Sequence, residues 1–114
     1  MDSDKKLEER KCEACNANTP PLEGDELQRY YSKLDEGWDL IDDHHLEKTY
    51  SFKNFRHALE FTNRVGEMSE EEGHHPEIYL TWGEVKLTVY THAIDALSEN
   101  DFIWAAKADG VVDE

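Results

Sequence analysis

The sequence contains no long hydrophobic run. Its longest uninterrupted apolar stretch is residues 102–106, whereas a membrane-spanning helix needs about 20 apolar residues. The first residues, MDSDKKLEERK, also lack the apolar core that a signal peptide requires. These absences predict a cytoplasmic protein that has no membrane partner.

Basic residues are scarce relative to acidic ones. The chain has 12 Lys and Arg against 27 Asp and Glu, which gives a formal net charge of −15. Nucleic acids and anionic membrane surfaces are bound through clustered Lys and Arg side chains. The charge balance therefore argues against nucleic acid as a partner.

Cysteine is nearly absent, since Cys12 and Cys15 are the only two. A CxxC pair can be half of a zinc site or a redox pair, but no second CxxC or nearby histidine pair completes a zinc site. We interpret the two residues as reduced thiols in a flexible N-terminal arm, residues 1–21. The rest of the chain, residues 22–114, is long enough for a single domain.

Three segments carry the three- and four-residue spacing of apolar side chains that is typical of amphipathic helices. Their predicted bounds are, in chain order, Asp25 to Gly37, residues 53–72 before a stop at Gly73, and Ser98 to Gly110. In the second helix, Phe55 and Leu59 are expected on the apolar face. In the third, Asp101 stands three residues after Ser98, which is the spacing of a capping box.

Period-two alternation between these helices predicts two β-hairpins. Their predicted turns are Asp42-Asp43 and Gly83-Glu84. In the second hairpin, Ile78, Leu80 and Trp82 are expected to share one face. Because each hairpin joins neighbouring strands directly, no parallel crossover is possible. The sequence therefore predicts an α+β two-layer sandwich, a four-stranded antiparallel sheet with helices packed on one face.

One stretch, EEEGHHPEIYLTW at residues 70–82, is unusual for the junction of a helix with a strand. Its glutamates occupy the last helical turn, where the helix dipole disfavours negative charge. An unfavourable placement of charge next to an unusual motif indicates a functional site, because proteins depart from such local preferences mainly where function requires it. The stretch also holds the adjacent pair His74-His75, and histidine is the side chain best suited in general to acid–base chemistry near neutral pH. A further histidine, His92, ends the predicted fourth strand.

The spacing of these residues resembles the signature of pterin-4a-carbinolamine dehydratases. That signature reads here as Glu70, three residues, His74-His75-Pro76, five residues, Trp82, nine residues, His92, eight residues and Asp101. The resemblance extends through SFKNFRHALEFTNRVGE and NDFIWAAK. The N-terminal KCEAC is similar to bacterial members that accompany phenylalanine hydroxylase.

The resemblance implies a hydro-lyase that dehydrates 4a-hydroxytetrahydropterin, the spent cofactor of aromatic amino acid hydroxylases. Water is lost by two proton transfers near neutral pH, which general acids and bases can perform without a metal or another cofactor. The pterin is then the substrate, and phenylalanine hydroxylase is a functional link. The family resemblance and the open edge of the predicted sheet also point to a homodimer or homotetramer.

The resemblance also implies a role for each signature residue. His74, His75 and His92 would be the acid–base and binding set, with the choice of acid and base left open. Asp101 would orient one of these histidines, and Glu70 would lie nearby. Asp101 has an alternative reading as a capping residue alone. The expected substrate pocket includes Pro76 and Trp82, and Trp82 is equally compatible with the core.

Two other function classes are compatible with the same residues. A metal protein would use His74, His75 and His92 as a ligand triad, although adjacent histidines on an extended chain point in diverging directions. A non-catalytic interaction module is the other, and nothing in the acidic sequence specifies its partner. The remaining histidines, His44, His45 and His57, are predicted to be surface residues.

Overall fold

The computed structural model describes residues 6–13 and 16–112. In chain order its elements are α1 (Gly24–Tyr31), β1 (Asp39–Ile41), β2 (His45–Ser51), α2 (Phe55–Glu72), β3 (Glu77–Leu80), β4 (Glu84–Val89) and α3 (Glu99–Val111). Two short 3-10 turns, Leu7–Glu9 and His92–Ile94, complete them. Among these described elements, no helix is long and apolar enough to cross a membrane.

The four strands form one antiparallel sheet in the order β1-β2-β4-β3. In the central pair, Leu46 lies opposite Val89 and Tyr50 lies opposite Val85. All four side chains are buried in the core against the helices, because alternate residues of a strand share one face. The predicted α+β two-layer sandwich is therefore confirmed.

Helix α2 begins and ends at strong local signals. The Asn54 side chain accepts a hydrogen bond from the His57 backbone N–H at 2.9 Å and so caps the helix. Gly73 ends it, as predicted, in the left-handed conformation (φ 66°) that favours glycine. The prediction for Phe55 and Leu59 is wrong, since they are 44% and 38% exposed. They lie beside the buried stripe, which consists of Ala58, Phe61, Val65, Met68 and Ser69.

Helix α1 is shorter than predicted. Its N-cap is Glu23 rather than Asp25, and Asp25 instead lies in the first turn, where a negative charge stabilises the helix dipole. The helix ends at Tyr31, with Ser32 as its C-cap, well before Gly37. The next two residues make tighter i to i+3 backbone bonds, and these end the regular helix.

Helix α3 begins with the predicted capping box of Ser98 and Asp101. It ends at Val111, one residue beyond the predicted stop at Gly110. The helix is buried on several sides, and Trp104 donates a hydrogen bond from Nε1 to the Ser69 hydroxyl on α2 at 2.9 Å. The two helices are thus joined by a buried polar contact as well as by apolar packing.

The second hairpin differs from its prediction at Trp82. Strand β3 ends at Leu80, so Trp82 lies past the strand and does not share the face of Ile78 and Leu80. The Trp82 side chain is 68% exposed, and Ile78, which lies on the edge strand β3, is 38% exposed. Trp82 is therefore not a core residue.

A polar cluster around Asp109 joins the end of α3 to the sheet. Its carboxylate accepts hydrogen bonds from Trp38 Nε1 at 2.9 Å, Lys48 Nζ at 2.7 Å and the Tyr50 hydroxyl at 2.5 Å. Burial raises the pKa of Tyr50 well above its ordinary value, and the hydrogen bond to Asp109 raises it further. The cluster anchors the helix to the sheet through three donors.

The described part of the N-terminal segment packs against the domain. Leu7 is buried in the core, Arg10 forms an ion pair with Glu99, and the Cys12 backbone N–H donates to Glu72 Oε1 at 2.8 Å. Flexibility of residues 1–21 stays a prediction, because packing is not a measure of motion. The proposed pair of reduced thiols also involves Cys15, which lies outside the described residues.

Candidate active site

The first signature histidine, His74, is a buried residue. The left-handed turn at Gly73 directs the chain back toward α2, and the His74 backbone N–H donates to the Ser69 carbonyl at 3.2 Å. Only 6% of His74 is exposed. Its Nε2 lies 2.6 Å from Asp101 Oδ1, so the two signature residues are in direct contact.

The carboxylate of Asp101 is fully buried and holds a small hydrogen-bond network. Its Oδ2 accepts the Ser98 backbone N–H at 2.8 Å and the Thr91 hydroxyl at 2.8 Å. Thr91 has a single hydroxyl proton, so Ser98 must donate the hydroxyl bond of 2.7 Å that joins them. A carboxylate only accepts hydrogen bonds, and His74 Nε2 therefore carries the proton in this arrangement. Asp101 thus caps α3 and also orients His74.

The second signature histidine, His75, lies at the surface. Its side chain is 59% exposed, and its Nε2 lies 2.9 Å from Glu70 Oε2, whose side chain is 78% exposed. His75 and Pro76 line an open cleft of about 640 Å³ between α2 and β3. The other residues that line the cleft are Thr62, Asn63, Gly66, Glu67, Ser69, Glu70 and Ile78. Trp82 is not among them.

The third signature histidine, His92, begins the 3-10 turn that follows β4. It was predicted to end the fourth strand, but β4 ends three residues earlier at Val89. Its ring contacts the Tyr90 ring at a centroid distance of 4.3 Å. His92 does not line the cleft beside His75.

A hydrogen-bonded network of His74, Asp101 and Thr91 nevertheless lies between the two exposed histidines, which adjoin it only as chain neighbours. His75 adjoins His74, which contacts Asp101, and Asp101 accepts a hydrogen bond from Thr91, the neighbour of His92. The two intervening contacts measure 2.6 Å and 2.8 Å. Residues from the end of α2, the start of α3 and the segment after β4 are thereby held together.

Neither Thr91 nor Tyr90 belongs to the signature or to any other motif in the sequence. Thr91 is buried and polar, but nothing in its spacing distinguishes it from an ordinary strand residue. Tyr90 follows Val89, which pairs with Leu46, so its nearest neighbours depend on the register of two strands. The contacts of either residue could be predicted only if the pairing of β2 with β4 were already known.

The prediction that His44, His45 and His57 are all surface residues is confirmed only for His57. The side chains of His44 and His45 are 35% and 22% exposed. The rings of both contact Tyr90, at centroid distances of 4.7 Å and 6.5 Å. The sheet register, which brings the start of β2 beside the end of β4, explains this partial burial.

A ligand set for a metal ion was the alternative use of the signature histidines. Within the part of the chain that the structure describes, no three His, Cys, Asp or Glu side chains converge in a way that could hold an ion. The Nε2 atoms of His74 and His75 each face a carboxylate instead.

Comparison with known proteins identifies the family. The family described as pterin 4 alpha carbinolamine dehydratase matches residues 20–111. A protein of Alkaliphilus metalliredigens named as a pterin-4-alpha-carbinolamine dehydratase is 55% identical over 103 residues, covering 90% of this chain and 93% of its own. A Rubrobacter xylanophilus protein of the same name is 50% identical over 103 residues, covering 90% and 95%.

A solved structure agrees with this assignment. The crystal structure of a protein from Brucella melitensis, described as a transcriptional coactivator/pterin dehydratase, superimposes with a TM-score of 0.76 and 26% sequence identity. The match covers 82% of this chain and 99% of the Brucella chain. Fold, signature residues and relatives agree, and the chain belongs to the pterin-4-alpha-carbinolamine dehydratase family.

Proposed function

We propose that the protein is a hydro-lyase that converts 4a-hydroxytetrahydropterin to quinonoid dihydropterin by histidine acid–base catalysis. The observation that carries this proposal is the network between His75 and His92. Its members are His74, Asp101 and Thr91, and the exposed residues His75 and His92 are the chain neighbours of His74 and Thr91. Membership of the family supplies the substrate class.

The reaction needs two proton transfers. The C4a–O bond breaks as an acid protonates the hydroxyl group, which leaves as water. A base removes the proton from N5, and the electron pair of the N5–H bond forms the C4a=N5 double bond. Imidazole suits both roles, since its ordinary pKa is near neutrality. Positioned groups of this kind contribute roughly 10²–10⁴-fold in rate.

Exposure separates the roles of the three histidines. His75 and His92 are accessible to a substrate and are proposed as the proton-transfer pair, whereas His74 is buried beside Asp101. His74 is therefore proposed as a positioning residue that fixes the chain on which His75 stands. Glu70 contacts His75 and supports it from the cleft side.

The substrate site is proposed to include the cleft beside His75 and to extend beyond it to His92, which does not line the cleft. A volume of about 640 Å³ is within the range that small-molecule sites occupy. Pro76 supplies an apolar wall there, and Glu70 supplies a carboxylate that can accept hydrogen bonds from the N–H groups of a pterin.

The proposed setting follows the family resemblance. An aromatic amino acid hydroxylase, phenylalanine hydroxylase for a bacterial member, would supply the substrate in the cytoplasm, and no cofactor would be required. A homodimer or homotetramer is proposed because large apolar side chains are exposed on α2, on the β3 edge and just past the end of β3. These residues are Phe55, Leu59, Ile78, Tyr79 and Trp82.

The proposed activity is tested by following the ultraviolet change as chemically prepared 4a-hydroxytetrahydropterin dehydrates, with and without the protein. We expect acceleration without added metal and unchanged activity after dialysis against a chelator. Loss of activity on chelation, restored by zinc or iron, would replace acid–base catalysis with the metal alternative. No acceleration under any condition would favour the non-catalytic interaction module.

A further inference from the structure

The turn between β1 and β2 brings His44 to the segment that carries His92. Asp42 and Asp43 both adopt the left-handed conformation, with φ of 53° and 56°, which aspartate tolerates better than most residues. The His44 ring then reaches Asp95, whose Oδ1 lies 2.8 Å from His44 Nε2. Residues 51 positions apart in the sequence are joined by this contact.

Asp95 is itself fixed to His92. The short turn His92–Ile94 ends at Asp95, which is left-handed with φ 49°. The Asp95 backbone N–H donates to the His92 carbonyl at 3.2 Å. An anchor at Asp95 therefore restrains the turn whose first residue is His92.

Tyr90 provides a second connection between His44 and His92. Its ring centroid lies 4.7 Å from that of His44 and 4.3 Å from that of His92. Within residues 6–13 and 16–112, the His92 ring makes no hydrogen bond to another side chain, so ring contact is what restrains it. His44 therefore contacts both residues that restrain His92, namely Asp95 and Tyr90.

We propose that His44 is a positioning residue for His92. Its hydrogen bond to Asp95 and its contact with Tyr90 hold the His92 ring in the orientation from which it exchanges a proton with the substrate. This inference rests on the proposed function, in which His92 is one of the two proton-transfer groups. His44 does not itself touch the reacting atoms. A displacement of about 1 Å in a reacting group can cost as much as 10²-fold in rate.

The test compares the wild type with His44→Ala, His44→Gln and His92→Ala in the dehydration assay. We expect His44→Ala to lower kcat by about tenfold with little change in KM. A misplaced acid or base stabilises the transition state less well but leaves substrate binding unchanged. Glutamine can place a donor where His44 Nε2 lies, so His44→Gln should recover most of the loss. The matched control is His57→Gln, an exposed histidine on α2 that should leave both constants unchanged.

A spectroscopic readout separates positioning from general loss of structure. The ring protons of His92 lie close to the Tyr90 ring, so their NMR chemical shifts report the relative orientation of the two rings. We expect these resonances to move in folded His44→Ala and to remain near wild-type positions in His44→Gln. Circular dichroism establishes that each variant is folded.

The outcomes distinguish this inference from the function on which it rests. An inactive His92→Ala together with a fully active His44→Ala, whose His92 resonances have not moved, would overturn the positioning role alone. A fully active His92→Ala would overturn the catalytic role of His92 and with it the role of His44. Loss of kcat in His44→Ala with rescue by glutamine supports the proposal.

Discussion

His74 and Asp101 lie 27 positions apart in the sequence, yet their side chains meet at 2.6 Å in the interior. Asp101 uses its other oxygen for Thr91 and the Ser98 backbone. One carboxylate therefore begins a helix and orients a signature histidine. Asp101 can therefore cap α3 and contact His74 at the same time, and the two interpretations of this residue are compatible.

Replacement of Asp101 by asparagine should be costly. The asparagine side chain has an NH₂ group in place of one of the two carboxylate oxygens of Asp101. At least one of the buried donors that now bond to Asp101 therefore loses its acceptor. We expect a loss of about 2–4 kcal/mol in the free energy of unfolding, as for other buried charged groups. Chemical denaturation measures the loss, and the exposed Asp25→Asn serves as the control. Equal stability of the two variants would contradict the network.

Thr91 offers a milder test of the same network. Thr91→Val keeps the shape of the side chain but removes the hydroxyl, leaving Asp101 and Ser98 each without one partner. The expected loss is about 1–3 kcal/mol, because a buried polar atom is left unsatisfied. Thr91→Ser retains the hydroxyl and should lose less. A valine variant as stable as the serine variant would show that the hydroxyl contributes nothing.

Local sequence signals predicted a good part of the fold. The stop at Gly73 and the capping box of Ser98 and Asp101 depend on residues within one helical turn, and both were found as predicted. The contact between Asp101 and His74 depends on how α2 and α3 pack, which periodicity does not specify. The resemblance implied that Asp101 orients a histidine but did not say which one.

The failed predictions have a common physical cause. Phe55 has the spacing of a buried helix residue, yet it is exposed because no described element packs over it. His44 looked like an exposed turn residue, yet the register of β2 and β4 brings it beside Tyr90. Each error concerns which element lies next to which, and single-segment patterns carry no such information.

The stability of the protein should fall at alkaline pH, and Tyr50 should contribute to the fall. Its pKa is raised in the folded state by burial and by the bond to Asp109. Above the ordinary tyrosine pKa of about 10, the unfolded chain loses the Tyr50 proton while the folded chain retains it. The contribution of protonated Tyr50 to the free energy of unfolding is therefore fully present below pH about 10 and decreases as the pH rises above that value.

This linkage is tested by measuring the free energy of unfolding between neutral pH and the alkaline range for the wild type and Tyr50→Phe. The phenylalanine variant should begin less stable, because Asp109 loses a donor, and should decline less steeply above pH about 10. Parallel curves for the two proteins would contradict the raised pKa.

Self-association should depend on the edge of the sheet. Tyr79 is 64% exposed on β3, and an edge strand with apolar side chains is a ready surface for pairing. We expect light scattering at micromolar concentration to give a dimer or tetramer, and Tyr79→Lys to shift it toward the monomer. The control Lys86→Ala alters an exposed residue of the neighbouring central strand. A monomeric wild type would contradict the proposed assembly.

The central claim is that His75 and His92 transfer the protons of the dehydration. It is tested most directly by the initial rate on saturating 4a-hydroxytetrahydropterin for the wild type, His75→Ala and His92→Ala, with circular dichroism confirming that each variant is folded. Each single replacement is expected to lower the catalysed rate by roughly 10²-fold or more. Folded variants that both retain the wild-type rate would contradict it.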